Sequence, residues 1–388
     1  MPNKVLFCAT VDYHFKAFHL PILKWFKEKG WEVHVAASGE IELPYVDQKF
    51  NIPIQRSPFQ VKNVEAYQEL KAIINKNDYK IIHCHTPMGS VLTRLAAKQA
   101  RKHGTKVFYT AHGFHFCKGA PIMNWMLYYP IEKVLARYTD CLITINDEDY
   151  NLAISHRFKA GEIEHVHGIG VDTEQFKPVS EELKRIRREN LGYQADDFIL
   201  FYAAEFNKNK NQQFLIKVMA KIKDSIPNAR LLLTGEGVLQ TSCSKLATEL
   251  GVDHMVEFLG YRKDIVNLLP MCDIAVASSL REGLPVNIME AMACGLPVVA
   301  TKNRGHIQLV KNNENGFIVN PEEVELFSKR LKELGTDKVL CKTLGKNSLR
   351  MVKQFSLLTV SMELHSIYSR YMLRDIDETK DQYNRAYI

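Results

Sequence analysis

Short apolar runs alternate with helix-period segments along this chain, and the series restarts midway. In the first half the runs expected to form strands are Val5–Ala9, Glu32–Ala36, Ile52–Gln55, Ile81–Cys84, Lys106–Thr110, Cys141–Thr144 and His165–Val166. Helical patterns fall between them at Lys16–Lys29, Val64–Lys76, Ser90–His103, Ile122–Ala136 and Asp147–Phe158. The series resumes with Phe198–Tyr202, the helix Asn211–Lys223, and the runs Ala229–Leu233, Val256–Leu259, Ile274–Ala277, Pro297–Ala300 and Gly316–Val319. Such alternation dictates parallel sheets with helices on both faces. Two series therefore predict an α/β chain with two Rossmann-like, doubly wound domains. In such sheets ligands lie beyond the carboxyl ends of the strands, so the polar segments that follow them are where chemistry is sought.

With 388 residues the chain exceeds one core of ordinary size, which agrees with two domains. No run approaches the roughly 20 apolar residues of a membrane span, and Met1–Thr10 reads as a first strand, not a signal peptide. The eight cysteines are scattered in apolar segments without metal spacing, so buried reduced thiols in a cytosolic protein are expected. The net charge is +7. Basic clusters at Lys98-Arg101-Lys102-Lys106 and Lys184-Arg185-Arg187-Arg188 have helical spacing. A solvated helix face is the first reading of each and anionic lipid headgroups the second. No basic stripe carries interleaved aromatics, so nucleic acid is not an expected partner.

The segment Ser278–Ala300 (SSLREGLPVNIMEAMACGLPVVA) reads as a polar loop, a short helix, a Gly-Leu-Pro break and an apolar strand. Pro285 is expected in the first helical turn, where its missing N–H costs nothing. The amides behind it have no helical partners and carry the positive end of the dipole, which favours phosphate. Glu282 and Glu290 bracket that site with seven residues between them. Carboxylates beside a bare phosphate would be unfavourable. A nucleotide sugar removes the conflict, because it offers hydroxyls at each end of its diphosphate.

Glu282 to Glu290 matches the E-x7-E signature of retaining glycosyltransferases. With Gly-Leu-Pro after the first Glu and Cys-Gly-Leu-Pro-Val-Val-Ala closing the element, the block resembles family 4 members. Gly170–Pro178 (GVDTEQFKP) is similar to the linker of that family, so the resemblance covers nearly the whole chain. It implies the GT-B architecture, two domains facing a cleft: residues 1–173 for the acceptor and 174–363 for the nucleotide-sugar donor, with 364–388 packing back on the first. The last dozen residues, polar from Asp375, are expected to fray. By the same resemblance Glu282 contacts the donor sugar, the backbone of Gly283, Leu284, Pro285 and Val286 holds the distal phosphate, and Glu290 accepts from the ribose hydroxyls.

Other pieces follow strands. In Ala203–Asn211 (AAEFNKNKN) the family has Gly-Arg and then a Lys, two cations on the diphosphate; Lys210 fits the Lys, but Glu205 stands where the Arg belongs. Arg304, in the Asn303-Arg304-Gly305 turn, is a candidate replacement. Gly235, in Gly-Glu-Gly, lines the nucleotide pocket by the resemblance, and Tyr261 and Arg262 lie beside the base. In Tyr109–Phe116 the resemblance places His112 near the donor sugar and the reaction centre, ahead of His115, with Gly113 letting a ligand approach the backbone. His83 and His85 share a strand face, but no third ligand is evident, so no metal site is expected. The aromatic segment Ala120–Pro130 reads as a packed helix or, more sharply, as a face for the bilayer or a lipid-linked acceptor.

The implied reaction is transfer of a sugar from a nucleotide-diphosphate sugar to an acceptor hydroxyl, retaining and independent of metal, with no cofactor. Likeness to bacterial capsular and exopolysaccharide transferases implies a UDP-linked hexosamine donor and a polyprenyl-diphosphate-linked acceptor. A cytosolic enzyme, peripheral to the inner membrane, would follow. A UDP-N-acetylhexosamine epimerase, a sugar phosphorylase, or a silent nucleotide-sugar-binding subunit (for which Glu205 is the argument) would use the same nucleotide site.

Overall fold

A strand buried on both faces must be apolar along its whole length, and the computed structural model places the apolar runs in such positions. It describes residues 2–386, with side chains as far as Leu373; the fraying expected from Asp375 onward falls outside the described side chains. Among the described residues the strands are β1 Lys4–Val11, β2 Glu32–Ser38, β3 Gln48–Asn51, β4 Tyr79–His85, β5 Lys106–Ala111, β6 Cys141–Thr144, β7 Glu162–His165, β8 Phe198–Ala203, β9 Ala229–Thr234, β10 Val256–Phe258, β11 Ile274–Ala277, β12 Val298–Thr301 and β13 Gly316–Val319. They form two parallel sheets, ordered β3-β2-β1-β4-β5-β6-β7 and β10-β9-β8-β11-β12-β13. The chain divides into two compact units, Met1–Ile169 with Val360–Ile388, and Gly170–Thr359.

In the first unit Val5 to Ala9 are fully buried at the sheet centre. The stretch Ile367–Tyr371 of the helix Leu357–Ala386 packs on this sheet. Tyr368 stacks on Phe108 with ring centroids 5.3 Å apart, its hydroxyl meets His83 Nδ1, and Tyr371 donates to the Asp140 carbonyl at 3.0 Å. Two expectations are corrected here. The third strand is not Ile52–Gln55 but Gln48–Asn51, because Pro53 cannot donate to a ladder; Ile52 and Ile54 are nevertheless buried. The helix expected over Lys16–Lys29 is two, Tyr13–Phe18 and Leu20–Glu28, broken at His19 (φ −122°). Pro21 has no N–H for the bond that would continue the first helix.

The second unit corrects the reading of a basic cluster. Lys184 and Arg188 are neither a solvated face nor free for lipid. Lys184 Nζ lies 2.8 Å from Asp273 Oδ1, and the buried Arg188 donates to Asp273 Oδ2 at 2.7 Å and to the carbonyls of Met271 and Asp197. Asp273 immediately precedes β11 and also accepts from the Ile199 amide at 2.9 Å, so these cations anchor the sheet. Arg101 of the other cluster is likewise held, by Asp140 at 2.9 Å. Seven cysteines are buried and Cys341 is half-buried; all eight are free thiols.

Candidate active site

The strand order reverses between β8 and β11 in the second unit, and a crevice for ligand is expected beyond the carboxyl ends of such a pair. The loops that follow those two strands carry Lys210 and Glu282. Lys210 Nζ lies 2.5 Å from Glu282 Oε1. The two loops are laced together: the Leu280 amide donates to Asn209 O at 2.8 Å, Asn209 Nδ2 to Arg281 O at 2.9 Å, and Ser278 Oγ to Lys210 O at 2.7 Å. Below them Tyr202 and Ser279 share a 2.6 Å hydroxyl contact. The turn after β12 fixes the other side. Thr301 Oγ1 and Asn303 Nδ2 each donate to Ser279 O at 2.8 Å, and Arg304 Nε donates to Glu282 O at 3.1 Å.

The helix expected after Pro285 spans Val286–Ala293. Pro285 stands one place earlier than expected: it is the extended residue before the helix (φ −77°, ψ 120°), not part of the first turn. The first helical bond runs from the Met289 amide to Pro285 O. The Ile288 amide donates to the Asn287 carboxamide at 3.0 Å. Val286 and Asn287 thus present amides that the helix itself cannot satisfy, as every helix start does. Asn287 Nδ2 donates to Ala203 O at 2.9 Å, which ties the helix start to the end of β8. Gly305 permits the close approach on the far side, since a Cβ there would stand 2.9 Å from Glu282 Cβ, Gly283 O and Pro285 Cδ. The structure therefore gathers Lys210, Glu282, Gly283 to Val286 and Arg304 in one place.

Glu290 lies within that short helix, and burial raises its carboxyl to about 7. Among the described residues no charged partner holds it there; desolvation is the cause. A raised carboxyl keeps a proton in the folded chain that the unfolded chain has lost between pH 4.5 and 7. Folding stability therefore falls as pH rises through that window and stays lower above it. Glu290→Gln should be more stable than the parent at pH 8, by on the order of 1–3 kcal/mol, with the gain vanishing below pH 4.5. Urea denaturation at both pH values measures this, and an equal gain at both would contradict it.

Gly235 (φ +125°) follows β9, and a Cβ there would meet Ala204 O at 2.2 Å. Its amide donates to Gly260 O at 2.8 Å, so the loops after β9 and β10 are joined. Tyr261 is exposed. Arg262 is engaged in a two-pronged contact with Asp264 at 2.7 and 2.6 Å, which holds the carboxyl below its usual range. Glu205 is exposed, and its side chain is not among the groups that lace the loops.

In the first unit the order reverses between β1 and β4. His85 ends β4, His14 and His19 follow β1, and His112 follows β5 with Gly113 at φ +137°. The expectation that no third ligand stands beside His83 and His85 is corrected at His85: one ring nitrogen from each of His14, His19, His85 and His112 lies within 4.8 Å of the others. His14 and His19 were not legible as site residues. Their one signal is that they follow the strand at which the order turns. Thr86, next to His85, holds φ +62° and ψ 151°, an uncommon conformation for this residue, braced by Thr10 through a 2.8 Å hydroxyl contact. His115 is exposed, beside Tyr128. Asp147-Glu148-Asp149 has Asp-x-Asp spacing but clamps a loop: Asp149 accepts from the Phe114 amide at 2.9 Å and Glu148 from the Lys118 amide at 2.7 Å.

From this histidine end a cavity of about 1230 Å³ opens, wholly within the first unit. Phe18, Phe59, Val64, Met88, Leu95 and Ile131 give it apolar walls, and Arg56 and Lys98 stand among its lining. Phe59, Val61, Ile122, Met123 and Met126 are strongly exposed nearby in sequence to those walls. The segment Ala120–Pro130 is thus split: Trp125, Tyr128 and Tyr129 pack on the core while Ile122, Met123 and Met126 face outward. Among the described residues no helix is long and apolar enough to cross a membrane.

Comparison with known proteins places this architecture. Residues 184–351 match the family model described as glycosyl transferases group 1, and residues 4–146 match the glycosyl transferase 4-like model. The chain is 52% identical to the glycosyltransferase EpsD of Bacillus subtilis (strain 168) over 378 residues, 97% of this chain and 99% of that one. It is 28% identical over 304 residues to an Escherichia coli UDP-Gal:alpha-D-GlcNAc-diphosphoundecaprenol alpha-1,3-galactosyltransferase, covering 76% of this chain and 78% of the relative. Among solved structures, Anabaena HepE in complex with UDP and glucose superposes with a TM-score of 0.77 at 20% identity, over 95% of this chain and all of that one. WaaG, a glycosyltransferase involved in lipopolysaccharide biosynthesis, gives 0.73 at 16% identity over 94% and 99%; both show the fold. The chain belongs to the family 4 glycosyltransferases of GT-B fold and is a glycosyltransferase.

Proposed function

We propose that the chain transfers a hexosamine from a UDP-sugar, with retention of anomeric configuration and without a metal, to a hydroxyl of a polyprenyl-diphosphate-linked saccharide. The observation that carries this reading is the Lys210–Glu282 pair beside the start of the helix Val286–Ala293, at the switch point of the second sheet. The diphosphate sits on the helix start, with Lys210 and Arg304 beside it. Glu282 takes the sugar hydroxyls and Glu290 the ribose hydroxyls. As the anomeric carbon–oxygen bond breaks, the leaving phosphate gains charge, which Lys210 and the amides offset in the manner of an oxyanion hole. The acceptor oxygen bonds to the anomeric carbon on the same face, and its proton passes to the departing phosphate. Lys210, Arg304 and the amide dipoles supply the positive charge that Glu205 does not.

The acceptor reading is supported by the E. coli relative, whose name gives a diphosphoundecaprenol-linked acceptor, and by the apolar cavity with Arg56 and Lys98 in its lining. An isoprenoid suits its walls and a diphosphate its cations. The outward Ile122, Met123 and Met126 would rest on the cytoplasmic face of the membrane. Mass spectrometry tests this directly. A hexosamine should be added only when both the UDP-sugar and a polyprenyl-diphosphate saccharide are present; conversion of the UDP-sugar alone would instead make the chain an epimerase. Phe59→Asp should cut transfer to the polyprenyl acceptor about tenfold or more, by loss of apolar burial, with affinity for the UDP-sugar unchanged. Equal transfer by the variant would remove the cavity from the acceptor's path.

A further inference from the structure

Four imidazoles converge in the first unit; the proposed transfer steps assign no role to His14, His19 or His85, and the family resemblance places His112 alone among them near the donor sugar. His14 Nε2 and His19 Nε2 are 3.0 Å apart, and His85 Nδ1 and His112 Nε2 are 3.2 Å apart. His19 and His85 are buried, and His85 Nε2 has no hydrogen-bond partner although it is shielded from solvent. A fifth ring, His83, lies 4.1 Å from His85 between centroids but commits Nδ1 to Tyr368 and Nε2 to Thr110, so it backs the cluster and is not part of it.

Lone-pair nitrogens that face one another repel unless a proton or a cation lies between them. Two shared protons would serve the two close pairs but would leave His85 Nε2 unmet, whereas an ion bound through Nε2 would meet it. A neutral, imidazole-only donor set suits zinc and its neighbours in the first transition row and not magnesium or calcium, which need oxygen. Bonds of about 2.0 Å in a tetrahedron put nitrogens roughly 3.3 Å apart. The His14–His19 spacing of 3.0 Å is already close to that, and each of the four rings offers a nitrogen within 4.8 Å of the others.

We propose that His14, His19, His85 and His112 form a binding site for a divalent transition metal, zinc first among them. The ion would clasp the segments that follow β1, β4 and β5. The proposal does not rest on the transfer reading, and its test reads the metal itself. The full chain is stripped with a chelator and titrated with Co²⁺, then with competing Zn²⁺. One Co²⁺ per chain should bind with the visible absorption of a tetrahedral complex, and Zn²⁺ should displace it. His19→Ala and His85→Ala should each weaken Co²⁺ binding by about a hundredfold or more, while His103→Ala, on the exposed end of another helix, should not. Should those variants misfold by circular dichroism, X-ray absorption of the zinc-loaded parent decides, with three or four imidazole nitrogens expected at about 2.0 Å. Substoichiometric uptake, an octahedral cobalt spectrum, an oxygen-dominated shell, or unchanged affinity in both variants would overturn it.

Discussion

Lys210→Ala should lower turnover by about a hundredfold or more, with a much smaller change in affinity for the UDP-sugar. In the proposed transfer the ammonium stands where charge develops on the leaving phosphate, so its contribution grows as the bond breaks. Loops pinned from both sides hold that position: the Lys210 amide donates to Asn207 Oδ1 at 3.0 Å, and its carbonyl receives Ser278 Oγ at 2.7 Å. The alanine variant should therefore keep its fold. It also frees Glu282 from the 2.5 Å ion pair, so Glu282→Gln is the companion variant that separates loss of the cation from release of the carboxylate. Turnover within a few-fold of the parent in Lys210→Ala would remove the residue from the chemistry.

Glu132→Ala should destabilise the first unit by about 3–5 kcal/mol. Arg94 is 1% exposed, with Nη2 2.9 Å from Glu132 Oε2 and its guanidinium 4.1 Å from the Tyr109 ring centre. Tyr109 also donates to Glu132 Oε1 at 3.2 Å. Removing the carboxylate strands a buried cation, which costs far more than an exposed pair would. The double variant Arg94→Leu with Glu132→Leu should recover most of the loss, because no charge is then left without a partner. Chemical denaturation of the three proteins measures both numbers. A loss under about 1 kcal/mol in the single variant would contradict this account of the pair.

The fold was legible wherever burial on both faces forces continuous apolar strands, as in Val5–Ala9, Ile274–Ala277 and Gly316–Val319. It was illegible at the edge strand Gln48–Asn51, which is polar and pairs on one side only, and where a proline interrupts a helical pattern, as Pro21 does. At the proposed donor site the helix start and its two glutamates could be read from Ser278–Ala300, because helix polarity and spacing are local. The Lys210–Glu282 contact could not, since 72 residues separate the partners and only the sheet order brings them together. The same holds for His14, His19, His85 and His112. Lys184 and Arg188 misled for the converse reason: helical spacing shows that two cations share a face, but not that Asp273 lies under it.

A crystal structure of the chain with a UDP-sugar decides the reading of the second unit. The distal phosphate should lie against the amides between Gly283 and Asn287, with Lys210 turned from Glu282 onto its oxygens, Glu282 on the sugar and Glu290 on the ribose. A nucleotide bound away from that helix start, with the Lys210–Glu282 pair intact, would contradict it.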